Sequence, residues 1–447
     1  MVSRVSIRGA ALAITAAMGL LWVRAHADPP GNLADKNDGG YVTGLPLFAY
    51  STDLGVGLGA RVYYYWNGHP ADPRFAHTPY LYRLFLQGFA STRGTQFHWL
   101  DFDAPKIFDS SYRVRSQLIF QRNINSNYFG LGARAQPPLR FPGADRSYGS
   151  YDDYTRDQAR ITGGQTYGKY DQYDLLRPVF IASVERLYAG DRIRVLGGVG
   201  LSYARIRDYT GKQVDAIDDA GRDAKATEAT TRLAADCAAS RIVGCAGGRD
   251  DFLRLGISYD TRDYEPDPNR GRFIDLAVDA GTVALGSQYD YLRALVAARG
   301  YWSPFAAADL VLAGRLLFEG QTNGAPFFSM NTLPFTEDPR AGLGGHRTLR
   351  GFRQDRFVGS VMTLANLEVR WTFGHARAFG QHFGFIVAPF ADVGRAYDSL
   401  ADVTPYAWQA SYGAAFRIAW NLATIVTVDY GRSSEDAGFY INFNHIF

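Results

Sequence analysis

The 447-residue sequence holds only two cysteines, four methionines and 20% charged residues. Two cysteines cannot staple a small multi-disulfide scaffold, and without further ligands they do not make a zinc site. After the first 27 residues no run of 18 uncharged apolar residues occurs, which excludes a bundle of membrane-spanning helices. Catalytic signatures are missing as well: there is no G-x-S-x-G elbow, no H-E-x-x-H pair and no complete G-x-x-x-x-G-K-[ST] phosphate loop. An enzyme, a cofactor or a bound metal is therefore not expected. The acids Asp145, Asp152, Asp153 and Asp157 cluster in one long connection, and against a calcium site stands their ordinary role as a solvated loop face.

What the sequence has in abundance is aromatic residues, 14% of the chain, together with 48 glycines. That composition suits many Tyr- and Phe-rich strands joined by turns. Residues 1–27 read as a secretory signal: Arg4 and Arg8, an apolar stretch from Ala10 to Val23, then Ala25-His26-Ala27 as a small-x-small cleavage site. Its loss removes Arg4, Arg8 and Arg24, taking the basic count from 47 to 44 against 44 acids. A neutral mature chain lacks the basic face of a nucleic-acid binder. In an exported protein Cys237 and Cys245, eight positions apart, read by default as a loop disulfide.

From Tyr41 onward, runs of alternating polarity recur. In residues 55–66 Val56, Leu58, Ala60, Val62, Tyr64 and Trp66 share one face, while Arg61, Tyr63 and Tyr65 share the other. Residues 361–373 repeat this, with Val361, Thr363, Ala365, Leu367, Val369, Trp371 and Phe373 on one side and Asn366, Glu368, Arg370 and Thr372 on the other. Alternation alone does not say which face is wet, since a soluble sandwich alternates too. Eleven runs precede residue 340, near 41–50, 55–66, 79–92, 95–104, 111–123, 178–189, 192–208, 251–262, 272–283, 289–302 and 308–320. Five follow, near 360–373, 383–394, 407–419, 423–431 and 438–447, giving the even number that single-chain outer-membrane barrels use. The three longest connections, 124–177, 209–250 and 321–359, all fall between an odd strand and the next even one, so all lie at one end of the barrel. The expected fold is all-β: a transmembrane antiparallel β-barrel of about 16 strands, with 28–40 a short periplasmic segment and 41–447 the barrel.

Four motifs follow one another along the second half. They are Asp260-Thr261-Arg262-Asp263 with Gly271 at a hairpin, Leu349-Arg350-Gly351-Phe352 in the loop after strand eleven, Phe390-x-Asp392-x-Gly394 on strand thirteen, and a last strand carrying Phe439, Ile441, Phe443 and Phe447 at alternate positions. Together they resemble the barrel of the outer-membrane insertase superfamily, the BamA/TamA-like bacterial surface antigen proteins. The resemblance covers essentially all of the chain from Tyr41 and is strongest after residue 251. It implies that the loop folds into the lumen and that Arg350 docks on strands twelve and thirteen, with Asp392 or Glu368 as its carboxylate. An arginine in a partly dry interior is costly unless so paired. It further implies a place in the outer membrane among lipid and lipopolysaccharide, handling by the barrel assembly machinery, and unfolded outer-membrane proteins as partners. The 13 residues from Asp28 to Gly40 are too few for a periplasmic POTRA domain, so a POTRA-less member is expected. Two other readings stand beside assembly: a passive porin-like channel tuned by Arg61, Arg315, Glu319 and Glu368, and a surface antigen that acts through its long loops.

Overall fold

A computed structural model describes residues 36–51, 55–72, 75, 78–305, 309–337, 340–421 and 424–447; the expected signal, residues 1–27, lies outside them. Sixteen strands build one wall. They are β1 (Gly40–Ser51), β2 (Gly55–Trp66), β3 (Tyr82–Ser91), β4 (Gln96–Ala104), β5 (Tyr112–Asn127), β6 (Gln172–Tyr188), β7 (Ile193–Arg207) and β8 (Phe252–Asp260), followed by β9 (Gly271–Gly281), β10 (Tyr291–Phe305), β11 (Leu310–Gln321), β12 (Val361–Ala378), β13 (Gln381–Tyr397), β14 (Gln409–Trp420), β15 (Thr424–Ser433) and β16 (Ala437–Phe443). Each pairs antiparallel with the next, from β1 through β16. The two ends of this sheet meet: Thr43 on β1 lies 2.9 Å from Thr424 on β15, hydroxyl to hydroxyl, and the Tyr63 ring on β2 lies 5.2 Å from Phe443 on β16. The sheet is thus curled into a barrel, the form that satisfies strand backbones within lipid.

Alternation now has a direction. On β8, Leu253, Leu255, Ile257 and Tyr259 are exposed, while Phe252, Arg254, Ser258 and Asp260 are buried. On β2, Leu58, Val62 and Tyr64 face out and Tyr63 and Tyr65 face in. An apolar exterior around a charged, buried interior is the reverse of a soluble sandwich and fits a lipid-facing wall. The outward pattern fails at the loop-side end of β12, where Val361, Thr363 and Ala365, expected to face out, are buried.

The long connections 128–171 and 209–250 do not trail into solvent but fold into a cap over one end of the barrel. Helix α1 (Tyr151–Gln158) starts at Ser150, whose side chain accepts from the Asp153 amide, and α2 (Arg232–Ala238) starts at Thr231, which accepts from Ala234. Three short strands, Gln165–Thr166, Gln213–Ile217 and Asp223–Glu228, pair beside them. Buried Asp236 accepts from Tyr128 and from both terminal nitrogens of Arg134, and a Cys237–Cys245 disulfide follows directly. The acids of this connection are engaged locally: Asp157 takes Arg146 and Tyr148, and Asp153 pairs with Arg156.

Within the cap, Glu228 is buried and accepts only the Lys169 amide, at 2.9 Å, through one oxygen, and burial pushes its pKa up to about 8. Folded, this acid keeps its proton to about pH 8; unfolded, it loses it near 4.5. The folded cap then binds the extra proton, so its stability falls as pH rises through that window. Glu228→Gln is expected to abolish that slope, read as protease resistance of residues 209–250 below and above the window. On the wall, Leu255→Arg places a guanidinium against lipid, and denaturant unfolding in liposomes is expected to show a loss of about 2–4 kcal/mol.

Candidate functional site

The connection from Thr322 to Ser360 turns into the lumen, and its tip is set by one glycine. Gly351 has φ +94°, and a Cβ there would sit 2.7 Å from the Arg432 backbone of β15. Only glycine combines that left-handed conformation with so close an approach. Its amide donates to the Tyr440 hydroxyl (3.0 Å), and its carbonyl accepts from Ser433 (2.7 Å). Leu349 and Phe352 flank the turn in a fully buried apolar cluster with Leu343, Phe357, Met362 and Leu364. Apolar packing on both sides thereby fixes the direction in which Arg350 points.

Arg350 is fully buried. Its Nε and Nη2 donate to the two oxygens of Asp392 (2.9 Å each), its amide donates to Asp392 as well (3.2 Å), and Nη1 donates to Glu368 (2.8 Å). The guanidinium lies 3.3 Å over the Phe390 ring, and Leu349 fits where a Cβ on Gly394 would come within 3.4 Å of it. Loop tip and strand motif are therefore two halves of one contact. Glu368 also takes Arg370 (2.9 Å) on its own strand and Arg417 (2.7 Å) on β14, while Asp429 on β15 stands 3.7 Å from Arg350. Three arginines and three carboxylates balance in a space closed to water, which removes the net charge that would make such burial prohibitive.

The opposite end of the lumen is filled by the turn between β8 and β9. Asp263 closes it by accepting from the amides of Tyr264, Asn269 and Arg270, and Thr261 exchanges bonds with Arg272. At Gly271 (φ +101°) any Cβ would lie 2.1 Å from the Thr261 carbonyl. Asp260 holds Arg262 by both oxygens, and Arg262 also reaches Glu337 in the inward loop at 2.7 Å. Glu265, at the head of the turn, accepts two bonds of 2.8 Å from Arg113 on β5. Sequence reading had no means of finding Glu265, Glu337 or Arg417, because their partners come from strands far away in the chain.

The last strand departs from expectation. Phe439 and Ile441 face outward, 76% and 60% exposed, but the run stops at Phe443 instead of continuing to 447. Phe443 is buried against Tyr63, and Asn444, with φ +64°, turns the chain inward so that Phe447 is buried as well rather than aligned on the exposed face. Arg315 and Arg370 hold the Ile446 and Phe447 carbonyls (3.0 and 2.8 Å), and His445 lies between Arg417 and Asp267 at 2.7 Å from each. Buried donors waiting in the lumen compensate the backbone groups that leave the ladder.

Arg350→Ala leaves buried Asp392 without its cation and is expected to cost about 3–5 kcal/mol in denaturant unfolding, with new trypsin cleavage inside residues 340–356. Arg350→Lys keeps the charge but not the forked contact, and its loss is expected to be smaller.

Against solved structures, the chain is similar to BamA from Haemophilus ducreyi lacking POTRA domains 1–3, at 13% identity and TM-score 0.48, covering 91% of this chain and 69% of that one. It is also similar to CdiB from Acinetobacter baumannii, at 12% identity and TM-score 0.43, covering 91% and 60% respectively. No curated protein matches. Residues 29–81 match a domain of unknown function, DUF5982. Residues 87–445, most of the barrel wall together with the inward loop and its carboxylate partners, match the Omp85 superfamily domain, and the chain belongs to that superfamily.

Proposed function

We propose that this outer-membrane barrel assists the insertion of other barrel proteins into the membrane, through the seam where its first and last strands face each other. One observation carries the reading. Every consecutive pair of wall strands is zipped by a ladder, whereas β1 and β16 share none among the described residues. What bridges the seam is side chains: Thr43 to Thr424, Thr424 to Tyr65, and Tyr63 against Phe443. Parting a few side chains costs far less than unzipping a ladder, so this is where the wall yields to a lateral strand.

The porin-like alternative fits less well. Arg315 is spent on the carbonyls of Arg347 and Ile446, Glu368 on three arginines, and Glu319 lies 3.5 Å from Arg293. These side chains fix the loop and the chain end in the lumen instead of lining an open path. Translocation of a polypeptide would call on the same seam or on removal of the loop.

The full chain in phosphatidylcholine liposomes is expected to speed the folding of a second, unfolded outer-membrane barrel. The double variant Thr43→Cys/Thr424→Cys, oxidised, is expected to lose that acceleration and to regain it on reduction. Wild type under the same reductant controls for the Cys237–Cys245 bond. Equal folding rates with and without the protein would remove the proposal.

A further inference from the structure

Between the inward loop, the β8–β9 turn and the β2–β6 side of the wall, the lumen keeps a cavity of about 560 Å³. Ten arginines line it. Eight have a carboxylate within 4.0 Å: Arg83 with Asp101, Arg113 with Asp103, Arg115 with Glu185, Arg177 with Asp250, Arg254 with Asp279, Arg262 with Asp260, Arg293 with Glu319 and Arg299 with Glu337. Arg61 and Arg347 have none among the described residues. Arg61 donates through Nε to Gln87 and lies 5.6 Å from the Phe443 ring, while the Arg347 side chain has no polar partner among those residues. The two come from β2 and from the loop three residues before Arg350, and they are near enough to repel each other.

A second observation points the same way. Among buried atoms of the cavity lining that lack a hydrogen-bond partner, five are donors: Arg83 Nε, Trp99 Nε1, Arg177 Nε, Arg299 Nε and Arg299 Nη2. One, Asp250 Oδ2, is an acceptor. Two more acids line the cavity, Glu265 held by Arg113 and Asp355 by Gln354, so the unmatched positive charge is local to Arg61 and Arg347; with the spare N–H groups, that corner is complementary to a group made of negatively charged oxygens. We propose that the lumen beside Arg61 and Arg347 is a binding site for an oxyanion, a phosphate or carboxylate group, which ties the inward loop to β2 next to the seam. Tyr63, Phe85 and Trp99 give the same cavity an aromatic wall, which suits an anion carried on an organic body. The proposal does not depend on insertase activity.

Its test titrates inorganic phosphate into the full chain in phosphatidylcholine bilayers, with ionic strength held constant by chloride, and reads the heat of binding. Saturable binding is expected, weakened roughly tenfold or more in Arg61→Gln and in Arg347→Gln. It is expected to be unchanged in Arg93→Gln, which removes an exposed arginine paired with Asp215 outside the cavity. Repeating the titration with phosphatidylglycerol in the bilayer separates the sources: a lipid headgroup that fills the site suppresses the phosphate heat, and a soluble anion leaves it intact. Absence of saturable binding to wild type in phosphatidylcholine overturns the proposal whatever the variants do. So does equal affinity in Arg61→Gln and Arg347→Gln, each first shown to be folded by resistance to denaturation.

Discussion

The interior is organised around a single carboxylate, Glu368, that three arginines share. Arg370 reaches it from the same strand, Arg417 from two strands away and Arg350 from the loop. Each guanidinium is intolerable in that place without the acid, and the acid is intolerable without at least one of them. Around this neutral knot the other contacts fall into place: Asp392 forks onto Arg350, Asn366 donates to Asp392 (2.7 Å), and Arg417 carries the chain of contacts on to His445. The lumen is thus held by charge pairing and the wall by backbone ladders, and the two systems are chemically independent.

That independence bears on the seam. At the join between first and last strands the ladder gives way to hydroxyls and rings, while the lumen side is backed by the loop tip, since Gly351 bonds to Tyr440 on β16 and to Ser433 on β15. The loop therefore braces the last two strands from within. Under the proposed opening, β15 and β16 would keep their ladders to each other and to β14, and the loop tip would hold them from the lumen side while the side-chain contacts to β1 part.

Much of this was legible before any coordinates. The sixteen strands declare themselves because lipid on one side and charge on the other enforce a strict two-residue period, as in Leu253 to Asp260. Arg350, Gly351, Asp392 and Gly394 could be picked out by their motifs. What could not be read is anything that depends on which distant strands face one another across the lumen. Glu265 looks like an ordinary turn acid until Arg113 is found opposite, and no local signal marks Arg417 as a partner of Glu368. The end of β16 misled for a different reason: Phe443 and Phe447 keep the outward spacing in sequence, but Phe443 is covered by Tyr63 from β2 and the left-handed Asn444 turns Phe447 inward. The connections 128–171 and 209–250 look solvated by composition, yet caps at Ser150 and Thr231 and a buried Asp236 give them a folded core of their own.

The placement of Gly351 also ties distant parts of the chain together. Its turn is enclosed by β15 and β16, which come some eighty residues later in the chain, and its neighbour Arg350 is gripped by β12 and β13. The docked position of the tip is therefore complete only when the final pair is in place, and the loop binds β12, β13, β15 and β16 at once.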